Sequence, residues 1–244
     1  MKKLILILFT PFFINAQSQI EMETVYDQIE NQKWDESLNL INNLLSQYPS
    51  SADLHFLKGY VFEYKENNYS ARISLEKAIE LNEDHSLANG RLARLYFTEE
   101  KFLEAIPLFK KHIMLNIDDL ELASNTEFNI ALCYSNSENF NEAISHYTNV
   151  ISINNNDEIV ANAYWNRGVT KNNIKRASGC ADLNEGYDRY MRASRSNLQW
   201  GYDGLNCDYM YNSYCDSDKL NNMRFREFKK ESKRFNKEKW KRQK

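Results

Sequence analysis

Ser86 to Asp119 reads SLANGRLARLYFTEEKFLEAIPLFKKHIMLNIDD, and the spacing inside it decides the fold. Leu92, Leu95 and Tyr96 stand at i, i+3, i+4, and Phe102, Ala105, Ile106 and Phe109 at i, i+3, i+4, i+7, the rhythm of apolar stripes on helices. Polar Thr98-Glu99-Glu100-Lys101 separates the two runs, so the stretch predicts a pair of helices joined by a short turn. The same phrase recurs on either side. Ala71 in NNYSARISL, Ala105 in EKFLEAIPLF and Ala143 in ENFNEAISHY are 34 and 38 residues apart, the larger interval reading as a four-residue insertion. A period of this length belongs to chains that stack copies of one helical hairpin, each too small to bury its apolar face alone.

Placing those alanines at position 20 of a 34-residue frame gives repeats at 52–85, 86–119 and 124–157. Two more align at the flanks. Residues 18–51 fit through Trp34-Asp35-Glu36-Ser37, Ile41, Leu44, Leu45 and Pro49, and residues 161–194 through Tyr164, Arg167, Gly168 and Cys180, after a second insertion at Glu158 to Val160. Gly59, Ala93, Ala131 and Gly168 share frame position 8. With the alanines at position 20 they let paired helices approach closely, because a close-packed core has no room for larger side chains there. Only seven Gly and three Pro punctuate 244 residues, which also favours long helices.

These positions resemble the tetratricopeptide repeats, whose pattern has Leu at 7, Gly or Ala at 8, Tyr at 11, Ala at 20 and an aromatic at 24. Leu92, Ala93, Tyr96, Ala105 and Phe109 match it in one repeat, Ile130, Ala131, Tyr134, Ala143 and Tyr147 in another, and Gly59, Phe62, Ala71 and Ala78 in a third. There are departures: only Pro49 keeps the final proline, His112 stands where a small residue is usual, and Pro107 falls in about the first turn of a helix. Residues 161–194, with Gly179-Cys180-Ala181-Asp182-Leu183 and the later Tyr214-Cys215, also resemble the closing repeats of exported bacterial members. The resemblance implies an all-α, right-handed solenoid of about five helix-turn-helix units over 18–194. An irregular Tyr/Cys-rich cap over 195–218 and a basic tail over 219–244 are expected to follow.

The ends of the chain carry their own signals. MKKLILILFTPFFINAQSQ has two lysines, an apolar run from Leu4 to Ile14 and small Ala16, the form of a secretory signal peptide at 1–16 cleaved after Ala16. The run is too short for a bilayer core of roughly 30 Å. Export to the periplasm or beyond is therefore expected. At the other end, twelve Lys or Arg against three Glu give residues 219–244 a charge of +9, leaving −12 on the rest. Such a tail could contact an anionic membrane surface, with nucleic acid the weakest alternative for an exported chain.

Chemistry-bearing motifs are scarce. Four cysteines lack CxxC spacing and four histidines stand far apart, so no metal site or cofactor is expected. Cys133 reads as a buried thiol. Cys180 with Cys215 is the preferred disulfide, with Cys207 to Cys215 and no bond at all as the alternatives. No phosphate loop or nucleophile elbow occurs, and nothing points to an enzyme.

What the resemblance does imply is a concave groove for a protein or peptide partner, lined by the first helix of each pair. Carried onto this chain, its lining includes Phe56, Tyr60, Tyr64, Arg94, Phe97, Phe128, Trp165 and Asn172. Aromatic and Arg side chains are the usual anchors of binding surfaces. The expected function is thus a non-enzymatic exported scaffold. The alternatives are an envelope-associated structural protein that works through its tail, or an accessory subunit of an envelope enzyme.

Overall fold

The computed structural model describes residues 16–153, 157–175 and 178–196, all of whose regular structure is helical. The expected leader, cap and tail, with Cys207 and Cys215, lie outside the described residues, apart from Ala16 and residues 195–196 at helix ends. Ten α-helices follow in order: α1 Ala16–Glu30, α2 Trp34–Gln47, α3 Ala52–Tyr64, α4 Asn68–Leu81, α5 Ser86–Thr98, α6 Phe102–Met114, α7 Leu120–Asn136, α8 Phe140–Ile153, α9 Asp157–Ile174 and α10 Cys180–Ser196. They form two compact units, the first ending at Glu100 and the second beginning at Lys101. None of the described helices is long and apolar enough to cross a membrane.

Helix starts follow from side chains that satisfy otherwise orphaned backbone donors. Ser51 accepts from the Leu54 N–H at the start of α3, Asn67 from Ser70 at α4, and Asp119 from Leu122 at α7. The turns inside the pairs share another device. Gln32, Glu66, Glu100 and Glu138 all have left-handed backbones, with φ between 57° and 64°. They recur at the repeat interval and let the chain reverse after three or so residues. The N–H of Lys33, Asn67 and Asn139 then closes onto the carbonyl of Gln28, Phe62 and Tyr134, five residues back, at 2.8 to 2.9 Å. Glycine would occupy these positions with no steric cost, whereas a side chain costs on the order of 1 kcal/mol.

Both insertions are absorbed by lengthening helices. The four residues inserted before Ser124 become an extra turn at the start of α7, and Glu158 to Val160 lie within α9. Four residues are close to one 3.6-residue turn, so the apolar stripe of α7 stays in phase with its partners. Pro107 is the sixth residue of α6, one turn deeper than its sequence context suggests. It cannot donate to the Leu103 carbonyl, and both residues face solvent, where water can take the free acceptor.

The repeat alanines do their packing in full burial. Ala71 of α4 and Ala143 of α8 have no exposed surface. In the first unit Ala71 and Gly59 admit α3 against α4, with Leu75 filling the space a side chain at Gly59 would need. A Cβ there would lie 2.8 Å from Leu75 Cγ. In the second, Ala131, Ala143, Tyr147, Val150 and Ala163 form one buried cluster of α7, α8 and α9. Burial pushes the Tyr147 phenol and the Cys133 thiol upward, the latter to about 12, so Cys133 stays an inert thiol.

The tightest approach is between α9 and the residues leading into α10, where a Cβ on Gly179 would fall 1.8 Å from the Gly168 carbonyl oxygen. Beside it, Arg167 donates two bonds of 2.8 Å to Asp182, and Lys171 makes a third contact of 2.8 Å. Cys180, the first residue of α10, is disulfide-bonded, and its partner lies outside the described residues.

Two outcomes are expected. Gln32→Gly should raise stability by about 1 kcal/mol in urea unfolding, since glycine removes the left-handed strain. Asp182→Ala should lower it by about 3 kcal/mol by stranding Arg167 and Lys171. Burial alone would raise the Asp182 pKa, but the bonds from Arg167 and Lys171 outweigh it and the net shift is downward. A folded pKa below the unfolded one stabilises above the unfolded value and is lost as pH falls through the folded value. The wild-type advantage over Asp182→Ala should therefore hold at pH 7 and shrink below about pH 4.

Candidate binding site

Helix α3 presents Phe56, Tyr60 and Tyr64 at four-residue spacing, which puts all three on one face. They form a ladder of rings. Trp34, at the start of α2, stacks on Tyr64 at 4.8 Å and 18°, Tyr64 meets Tyr60 at 4.8 Å, Tyr60 meets Phe56 at 6.4 Å, and Phe56 meets His85 at 4.8 Å. Exposure grows along it. Phe56 is 8% exposed and serves as a packed base, while Tyr64 is 53% exposed at the open end.

Polar groups hold the ladder in place. The ring of His85 caps α5, its Nδ1 accepting from the Ala88 N–H at 3.2 Å. The proton of the neutral ring then sits on Nε2, which lies 3.2 Å from Asp53 Oδ1. That polar contact with the His85 ring holds the Asp53 carboxyl below its ordinary range despite partial burial. Arg91 of α5 lies over the Tyr60 ring at 4.0 Å and donates to Glu63 of α3 at 2.9 Å. Burial and the neighbouring Tyr64 hydroxyl raise the Tyr60 phenol to about 12, so it remains a neutral donor. On α1, burial and the Asp53 charge raise the Tyr26 phenol.

Arg94 stands one turn beyond Arg91 on α5 and differs from it. Solvent reaches it, and it makes no ion pair among the described residues. Surrounding protein atoms and the Arg91 charge lower its pKa from the ordinary guanidinium value. Phe97, near the end of the same helix, is half-buried.

The expected lining residues of the second unit are put to other uses. Phe128 sets its edge against the buried Tyr147 ring at 5.7 Å, as part of the packing of α7 on α8. Asn172 accepts the Gly179 N–H at 2.7 Å and so clips the turn between α9 and α10. Trp165 is half-buried on α9, with the small Gly186 of α10 against its backbone. Among the sequence-derived candidates, then, the structure brings together Phe56, Tyr60 and Tyr64, with Arg94 beside the two tyrosines. Trp34, His85 and Arg91 join them from outside that set. Trp34 opens a second helix and Arg91 lies 28 residues from Glu63, so only tertiary contact places them here.

The described residues contain no group of three or more His, Cys, Asp or Glu able to hold an ion. His146, the other well-placed imidazole, lies 2.6 Å from Glu127 and stacks on Tyr134 at 5.3 Å, which ties α7 to α8. The site is a rigid surface of aromatic rings edged by charge.

His85→Ala should weaken the site in two measurable ways. Loss of the α5 cap should cost about 1 kcal/mol in chemical unfolding. The Asp53 carboxyl, without the imidazole beside it, should titrate higher in an NMR pH series. Since its folded pKa is depressed, its contribution to stability is present above the unfolded value and fades as pH falls below about 4.

Comparison with known proteins places this geometry. The family model for the tetratricopeptide repeat matches residues 52–85 and 128–157, one stretch in each unit. No curated protein matches the sequence. Among solved structures, YrrB, described as a TPR protein with an unusual peptide-binding site, is 20% identical over 69% of this chain and 84% of its own, with a TM-score of 0.62. MamA from Desulfovibrio magneticus RS-1 is 12% identical over 75% of this chain and 98% of its own, with a TM-score of 0.63. PilW, described as a type IV pilus biogenesis factor, is 14% identical over 82% and 87%, with a TM-score of 0.61. At these identities the likeness is one of fold. The chain thus carries tetratricopeptide repeats at residues 52–85 and 128–157, one in each unit, and its described helical hairpins share the fold of solved tetratricopeptide-repeat proteins.

Proposed function

We propose that this protein is a non-enzymatic exported scaffold that binds a peptide or protein segment on the face of its first unit formed by α3 and α5. Its fold is that of a protein-interaction scaffold. One observation carries the choice of face: Tyr60 and Tyr64 are held at the surface by stacking, between Trp34 on one side and Phe56 on the other. Rings fixed in this way offer large contact area and lose little conformational freedom on binding. The peptide-binding site of YrrB, on a similar fold, supports the same reading.

Export rests on the leader-like residues 1–16, and the disulfide at Cys180 agrees with an oxidising compartment. An N-terminal sequence beginning at Met1 in material recovered from the medium or periplasm would remove this part.

Panning a phage-displayed library of random 12-residue peptides against the mature chain tests the binding reading. Selected peptides should bind at micromolar concentration, and Tyr60→Ala with Tyr64→Ala should weaken them at least about tenfold while leaving the helical circular dichroism in place. Selected peptides that bind the double variant as tightly as the wild type would move the site elsewhere.

A further inference from the structure

The charges around the ladder are paired unevenly, and that asymmetry bears on what the face recognises. Glu63 is taken by Arg91, which is itself held against the Tyr60 ring. Asp53 is taken by His85. Each of these anions has a cation or a ring N–H at 2.9 to 3.2 Å, and each lies on α3 facing α5. Arg94, on the same helix as Arg91, has no such partner among the described residues and is open to solvent. It stands one turn along α5 from Arg91, whose guanidinium lies over the Tyr60 ring at 4.0 Å, and in the electrostatic neighbourhood of Tyr60, Tyr64 and Glu63.

The imbalance is local and runs against its setting. Residues 16–100 carry fifteen Asp or Glu against seven Lys or Arg, and of the cations without an ion pair among the described residues, Lys33, Lys58 and Arg94, it is Arg94 that stands in the electrostatic neighbourhood of Tyr60 and Tyr64. A cation kept unpaired amid so many carboxylates is available to an incoming anion. The rings alongside would bury the apolar part of the same ligand, and a guanidinium at their edge can receive a carboxylate in a two-pronged hydrogen bond.

We infer that the segment bound by this face carries an acidic side chain that pairs with Arg94, next to an aromatic or aliphatic side chain that lies on Tyr60 and Tyr64. This rests on the binding reading above and adds the chemistry of the partner. The surrounding acidic surface sharpens the selection. A ligand that is acidic throughout would be repelled by it, so one carboxylate at a set distance from an apolar residue fits, with neutral or basic neighbours. The main competing occupant is the chain's own basic segment Met223 to Lys244, whose charge suits the acidic unit but offers Arg94 only a few glutamates.

The same peptide library separates these. Clones selected by the wild type and lost by the Tyr60, Tyr64 double variant should be enriched in one Asp or Glu two to five residues from an aromatic or aliphatic residue. A synthetic peptide from such a clone should bind about tenfold more tightly than its Glu→Gln counterpart in fluorescence anisotropy. In Arg94→Gln that ratio should fall to about twofold or less, and in Arg94→Glu a Glu→Lys peptide should be preferred. Circular dichroism and thermal melting of both Arg94 variants check that the fold is kept.

Tyrosine-dependent clones without acidic enrichment, or a tenfold ratio that survives Arg94→Gln, would overturn the inference and leave the binding face standing. Tighter binding of a synthetic Met223–Lys244 peptide than of any selected acidic peptide would overturn it in favour of the basic segment. Clones indifferent to the tyrosines would remove the binding face, and this inference with it.

Discussion

Everything in each unit depends on how closely two helices of a hairpin can approach. Ala71 and Ala143 are fully buried, and Gly59 leaves a gap that Leu75 fills to within 2.8 Å of where its Cβ would stand. At Gly168 and Gly179 the backbones themselves meet, and no side chain fits. Because such contacts bring Cα traces close, the remaining residues can be modest in size and still exclude water. The cores are accordingly built mainly from Leu, Ile, Val and Ala, with Tyr147 the one large ring among the described residues that is buried completely.

The same close packing makes the ladder on α3 rigid. A helix held tightly on its inner side by Leu54, Leu57 and Val61 has little freedom to turn, so Tyr60 and Tyr64 are presented at fixed positions. Stacking on Trp34 and Phe56 removes much of the rings' own freedom. His85 joins several tasks in one residue: it ends a loop, caps α5, packs on Phe56 and holds the Asp53 carboxyl ionised. Placing a histidine at a capping position is uncommon, since its ring nitrogen is a poorer fit than the short oxygens of Ser, Asp or Asn. Here the ring contact with Phe56 and the nearby carboxylate compensate.

The two units use equivalent sequence positions differently. In the first, the face of α3 is left open with its rings stacked on one another. In the second, Phe128 turns its edge inward to Tyr147, and Asn172 closes a turn. Repeats that share a packing pattern can thus diverge at their outward positions, because those positions carry no obligation to the hairpin. The binding proposal falls on the unit whose outward residues have been left free.

The sequence by itself determined the helical hairpin, its period and the small residues that seat it. A 3.6-residue apolar rhythm and alanines 34 residues apart are local facts, readable without knowing any contact. The resemblance to the tetratricopeptide repeats also marked Phe56, Tyr60 and Tyr64 as groove residues, and their four-residue spacing puts them on one side of α3. Only the tertiary structure decided the rest. Trp34 reaches Tyr64 across 30 residues, Arg91 reaches Glu63 across 28, and Arg94 is left unpaired although it stands one turn away from Arg91. The insertions likewise became helix, since a near-integral turn keeps the stripe in register while the letters alone read as a break. Which of two similar arginines is neutralised, and whether an aromatic lies open or buried, depends on what neighbouring helices bring to it, and no spacing along the chain contains that.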